Sequence, residues 1–188
     1  KGKMMEEKVI NEKDRIELYN EFMHKLGKYE NKELDEYLYK YGFFTQAAST
    51  RFHGAYSGGL FDHSLNVGAV LVDLTQKLNL KWEKERSPYV VGMLHDICKI
   101  DNYILLPDNT FAFNRLSQNG HGDKSVSILL NLILDLTDEE LLCIRWHMGS
   151  FDDKVNWQHY TDSIKKYPNV LYTHFADMIS AHIIEKEN

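Results

Sequence analysis

Cysteine is scarce in this chain. Cys98 and Cys143 are its two thiols, and they form no CxxC pair, which argues against a cysteine-rich zinc site. Both lie in apolar, helical-looking segments and read as buried, reduced thiols of a cytoplasmic protein. Proline is almost as rare, at Pro88, Pro107 and Pro168 in 188 residues, so long stretches are free to run helical. No run approaches the roughly 18 uncharged apolar residues of a membrane span. The opening KGKMMEEKVINEKDR lacks the apolar core of a signal peptide; residues 1–10 are expected to be a flexible N-terminal segment, with Met4 or Met5 as the natural start. Positive charge is in deficit too. Lys and Arg number 22 against 28 Asp and Glu, for a net charge of −6, and this speaks against a broad basic surface for duplex nucleic acid. Phosphate substrates stay open, because a bound cation can supply positive charge locally. No repeat, low-complexity tract or linker divides the chain, and its length suits one domain over 1–188.

What is abundant is helical patterning. Apolar residues at a 3.6-residue period predict helices over 14–26, 30–41, 60–78, 83–100, 124–134 and 138–148, with a last one from Pro168 to about 184. Thr137 and Glu140 form a capping box at the start of one of them. The exception is NYILLPDNTFAFN at 102–114, two short β-favouring runs around Pro-Asp-Asn, which predict a hairpin. The expected fold is all-α, a compact helical bundle with a small hairpin, and the hairpin is expected to rim a substrate site.

Nine histidines are many for this length. His95-Asp96 lies within the apolar run YVVGMLHDICKI, where an imidazole and a carboxylate are expensive to bury without partners. A divalent metal would repay that cost; a backbone carbonyl on the histidine and a salt bridge on the aspartate would serve as well. His63, His121, His147 and Asp177 recur in separate helix-sized segments, so a bundle could aim all six side chains at one centre. Four histidines and two aspartates exceed the needs of one ion with open positions, whereas two ions sharing Asp96 would use them all.

The series His63, His95-Asp96, Asp177 resembles the HD-domain metal-dependent phosphohydrolase superfamily, which is all-helical. HGAYSGGLFDHSLNV (53–67), GMLHDICKI (92–100) and LYTHFADMISA (171–181) carry the likeness, which covers roughly 45–185. His121 in NGHGDKS and His147 in RWHMGSFD match the dinuclear subgroup, which includes the HD-GYP cyclic-dinucleotide phosphodiesterases and the HD domains of bacterial 3′–5′ exoribonucleases. No GYP signature follows the HD pair. The resemblance implies two divalent transition-metal ions (Mn, Fe, Ni or Zn). His63, His95, Asp96 and Asp177 would hold the first, and Asp96, His121 and His147 the second. A hydroxide bridging them would attack phosphorus in a phosphomonoester or phosphodiester, with a phosphorylated small molecule, nucleotide or short nucleic acid as substrate. Similar ligand sets serve HD-fold di-iron oxygenases, and a non-catalytic metal-binding regulatory module is the remaining alternative. No membrane partner is expected.

Around this centre, Lys99 lies three residues after Asp96 and would pair with a phosphate or with the carboxylate. His53, in a Gly-rich approach, is a candidate proton donor or phosphate ligand. Arg51, Lys124 and Arg145 are further phosphate candidates, and His174 shares a face with Asp177. Without metal, Asp96 and Asp177 are expected to repel each other.

Overall fold

Polar side chains cap the starts of three of the helices. The structure, a computed structural model, describes residues 10–117, 120–133 and 135–187. The flexible segment expected over 1–10 lies, apart from Ile10, outside the described residues, as does position 134 at the end of one expected helix. Asn11 accepts from the Asp14 amide at 3.1 Å and opens α1 (Glu12–Tyr19), which continues as a π-helical stretch over Asn20–Leu26. Asn31 accepts from the Leu34 amide at 3.0 Å and opens α2 (Lys32–Lys40). Thr137 and Glu140 make the expected capping box at the start of α6 (Asp138–Arg145). The other helices are α3 (Gly59–Leu78), α4 (Ser87–Leu94), α5 (His121–Leu132), α7 (Trp157–Lys166) and α8 (Asn169–Ile179). A π-helical stretch, Ser180–Ile184, and a final turn, Glu185–Glu187, extend α8. β1 (Tyr103–Leu105) pairs antiparallel with β2 (Phe111–Phe113), Ile104 opposite Ala112, so among the described residues the regular structure is helical apart from the expected hairpin.

One core joins these helices. Leu60, Phe61, Val67 and Leu71 of α3 meet Val91 and Leu94 of α4, Leu129 of α5, Ile144 of α6 and Val170 of α8. Two close backbone approaches set the spacing. A Cβ on Gly92 of α4 would overlap Gly68 of α3, and a Cβ on Gly122 of α5 would overlap the Arg145 carbonyl at the end of α6. The first contact brings His63 towards the His95-Asp96 pair; the second sets His121 beside His147. Buried carboxylates brace the same helices. Glu140 accepts from Ser87 Oγ at 3.0 Å and from Arg86, while Glu139 accepts from Asn169 Nδ2 at 2.8 Å. Asp62, next to His63, receives a two-pronged pair from Arg15 of α1, both contacts 2.8 Å.

The chain departs from its periodicity where the histidines sit. The helix expected over 83–100 stops at Leu94. Asp96 leaves helical geometry (φ −102°, ψ 17°) and a tighter turn follows over Ile97–Asp101. Ser125 of α5 is the cause: its hydroxyl donates to the His95 carbonyl at 2.7 Å and accepts from the Cys98 amide at 3.2 Å, taking over two places in the helical ladder. α6 likewise ends at Arg145, short of the expected 148. α7 was not among the expected helices; Tyr160 and Ile164 supply its contact with the core from an otherwise polar segment.

The hairpin also differs from expectation in its role. None of its residues is among those lining the recess described below. Its base is tied down instead: Gln46 Nε2 donates to the Ile100 and Tyr103 carbonyls at 3.1 Å, and Lys124 pairs with Asp101 and reaches Asn102 and Ser117. No helix among the described residues is long and apolar enough to cross a membrane.

The glycine contact yields a direct test. Gly92→Ala forces α3 and α4 apart and should lower stability by about 1–3 kcal/mol, as overpacking does. Urea denaturation measures this, and an unchanged midpoint would contradict the close approach.

Candidate metal centre

Five helices deliver six side chains to one place. His63 comes from the first turns of α3, His95 caps α4 with Asp96 next in the chain, and His121 begins α5. His147 stands just past α6, and Asp177 lies late in α8. His63, His95, Asp96 and His147 are all buried, at 2% exposure or less. The rings follow one another closely, with centroids 5.3 Å apart from His63 to His95, 4.9 Å from His95 to His147 and 5.0 Å from His147 to His121.

Each buried ring is oriented from its outer nitrogen. His95 Nδ1 donates to the Gly92 carbonyl at 2.8 Å, and His147 Nδ1 to the Ile144 carbonyl at 2.7 Å. Both acceptors lie three residues back, at helix ends where carbonyls lack a partner in the ladder. His63 Nδ1 instead meets Glu185, 2.9 Å from Oε1. With Nδ1 holding the proton, the neutral ring leaves Nε2 as a bare lone pair. The Nε2 atoms of His63, His95 and His147 are buried and make no hydrogen bond. Carboxylate oxygens stand near them at wider spacings: Asp177 Oδ1 is 3.2 Å and Asp96 Oδ2 3.6 Å from His63, Asp96 Oδ2 is 3.5 Å from His95, and Asp96 Oδ1 is 3.3 Å from His147. Atoms that each sit 2.0–2.2 Å from a common cation are themselves about 3–3.5 Å apart. The donor set therefore fits divalent metal. The backbone-satisfied histidine considered as an alternative is half right, since the carbonyl bond exists and is what strands Nε2.

Asp96 divides its two oxygens. Oδ1 faces His121 Nε2 at 2.7 Å and His147; Oδ2 faces His63, His95 and the Lys99 ammonium, the last at 2.7 Å. Burial works to raise this carboxyl, but Lys99, His95 and His121 outweigh it and hold Asp96 well below the usual carboxylate range. The expected repulsion between Asp96 and Asp177 is thus corrected: with no metal bound, neighbouring cations dominate both carboxylates. Asp177 is also lowered against its burial, chiefly by His63 and His95. Burial opposes protonation of His63, but Asp177 and Glu185 overcome it and push the ring up to about 9. Asp96 does the same for His121, against burial, again to about 9. Protons stand where metal charge would.

The other candidates divide sharply. Lys99 lies on Asp96 and lines a recess of about 210 Å³ together with His53, His121, Asp177, Met148 and Phe151. The His53 ring is 4.7 Å from that of His63, and burial, with His63 and Lys99 adding to it, pushes it down to about 4. Arg51 lines a second hollow of about 920 Å³ that shares His53, Met148 and Phe151 with the first. Lys124 and Arg145 are not brought to the recess. Lys124 is spent on Asp101, and Arg145 pairs with Asp123 and with Asp152 at 2.7 Å while lying over Trp146. The placing of these two does not favour phosphate contact. His174 Nδ1 donates to the His147 carbonyl at 2.7 Å and so steadies the segment carrying that candidate ligand. Sequence reasoning missed Glu185 and Asn66. Nothing in EKEN, a charged run at the chain end, distinguishes Glu185 from a solvated side chain.

The family model described as HD domain matches residues 60–182. No curated protein and no solved structure matches the chain.

The electrostatics give a pH test. His63 and His121 titrate near 9 in the metal-free fold, against about 6.5 in an unfolded chain. Their contribution to metal-free stability is complete below about 6.5 and lost as pH rises through about 9. Metal must displace those protons, so binding at pH 7 should release about two per chain, and affinity should rise towards pH 9. Calorimetry of Mn²⁺ binding in buffers of different ionisation enthalpy measures the release; heats independent of buffer would contradict it.

Proposed function

The chain belongs to the HD-domain family, and on that footing we propose that it hydrolyses phosphate esters at a centre of two divalent transition-metal ions, with a nucleotide or short nucleic acid as substrate. One observation carries the reading. The two oxygens of Asp96 face separate groups of imidazole nitrogens, His63 and His95 on one side and His121 and His147 on the other, as a shared carboxylate requires. The groups His63–His95–Asp96 and Asp96–His121–His147 each bring their ligand atoms within 4.8 Å of one another. Asp177 stands 3.2 Å from His63, and its carboxylate also lies within 4.8 Å of the His95 and His147 nitrogens. When bound, such a pair of cations polarises the phosphoryl oxygens and makes water acidic enough to attack.

The remaining chemistry belongs to the chain. Lys99 borders the recess, 2.7 Å from Asp96, and would offer ammonium protons to a phosphoryl oxygen. His53, held neutral at pH 7 by its burial, would donate an N–H to a phosphate oxygen. The inner recess, at about 210 Å³, is smaller than the roughly 300–1,000 Å³ of a typical ligand pocket and suits the reacting phosphate alone. The outer hollow holds the rest of the substrate. Phe52, Tyr56 and Phe151 line it with exposed rings on which a base would stack, and Arg51 adds charge for a second phosphate.

Asp96→Asn removes the shared charge. It should strip the protein of metal and cut Mn²⁺-dependent hydrolysis of a nucleotide and short-RNA panel by about 10³-fold or more, the scale of losing a preorganised charge-stabilising group. It should also lower the melting temperature of the metal-free chain, because Lys99 loses its partner. Near-normal phosphate release by the variant would overturn the assignment. So would a wild type that releases no phosphate from the panel but forms an oxygen-dependent product with iron.

A further inference from the structure

The three inward-facing buried histidines are oriented by different means. His95 and His147 use carbonyls of their own helix ends. His63 has no such choice, because it lies inside α3, where the carbonyl one turn back is already committed to the helical ladder. Its acceptor comes from the far end of the chain. Glu185, in the last described turn, places Oε1 at 2.9 Å and Oε2 at 3.2 Å from His63 Nδ1. Asn66, one turn along α3 from His63, donates to Glu185 Oε1 at 3.1 Å and fixes the carboxylate in turn.

We propose that Glu185 is the positioning residue of the His63 side of the metal centre, with Asn66 as its clamp. The proposal rests on the reading of His63 as a ligand. A carboxylate can only accept, so it holds the His63 proton on Nδ1 and leaves Nε2 bare towards Asp96 and Asp177. It meets the ring on the edge away from those aspartates and so acts through His63 without touching the ion. It also brings a third negative charge to a site whose own ligands supply two, Asp96 and Asp177. Because His95 and His147 are oriented locally, the effect is confined to one of the two ions. The turn 185–187 then becomes part of the metal site, although the chain between Asp177 and Glu185 contributes no ligand.

Two readouts test this. The first is stepwise Zn²⁺ binding by calorimetry. Glu185→Ala should weaken one ion by about 10–100-fold, the usual range for losing a carboxylate behind a ligating histidine, and leave the other within error. Asn66→Ala should weaken the same ion by less. Glu185→Gln, which can still accept from Nδ1 but carries no charge, should fall between wild type and Glu185→Ala. The second readout needs no metal: nitrogen-15 spectra of the histidine rings in the metal-free protein, taken at about pH 10 where imidazoles are neutral. There His63 should carry its proton on Nδ1 in wild type and in Glu185→Gln, and become a mixture of tautomers in Glu185→Ala. If wild type binds no metal, the reading of His63 as a ligand fails, and the spectra alone decide whether Glu185 orients the ring. The inference is overturned by a His63 tautomer indifferent to Glu185→Ala, or by equal weakening of both ions.

Discussion

A carboxylate with 2% exposure must be compensated on every side, and Asp96 is the group around which this fold is arranged. Removing such a charge from water costs several kcal/mol even after the protein relaxes. The Lys99 ammonium and the imidazoles of His63, His95, His121 and His147 all turn towards it from separate elements. The same surplus of partners is what would let one residue serve the two cations we propose. Its two oxygens differ in their surroundings, Oδ1 facing His121 and His147 and Oδ2 facing His63, His95 and Lys99.

Bringing four imidazoles to one carboxylate demands helices that stop in the right place. Ser125 breaks the ladder after Leu94, so Asp96 swings out of helical geometry. His147 falls just beyond α6, and its ring takes the free Ile144 carbonyl. In both cases a carbonyl left free at the helix end orients a buried imidazole, Gly92 that of His95 and Ile144 that of His147. Gly92 against Gly68, and Gly122 against Arg145, then set the distances between these ends. Stability and site are coupled through these contacts, because anything that separates α3 from α4 also separates His63 from His95.

Much of this was legible in the chain. The helical periods, the Thr137–Glu140 box and the Pro107 turn are local signals; the box and the turn appear where expected, and so do the predicted helices, though two of them stop short at the histidines. The six candidate ligands were found from residue types in separate segments together with family resemblance, and the fold brings all six together. What escaped reading depended on tertiary partners. The end of α4 is made by a hydroxyl on α5, and no local pattern in YVVGMLHDICKI announces it. Lys124 and Arg145 looked like phosphate contacts by their nearness in sequence to His121 and His147, yet Asp101 and Asp152 hold them. Glu185 was invisible because its partner lies 122 residues away. The hairpin showed in composition, but which face it would cover did not.

The central claim is that Asp96 joins two cations. Anomalous diffraction from crystals of the protein grown with Mn²⁺ tests it most directly. Two peaks flanking the Asp96 carboxylate are predicted, one beside Oδ2 within reach of His63, His95 and Asp177, the other beside Oδ1 within reach of His121 and His147. A single peak bound by one oxygen, or peaks that leave the three bare Nε2 atoms without a partner, would contradict it.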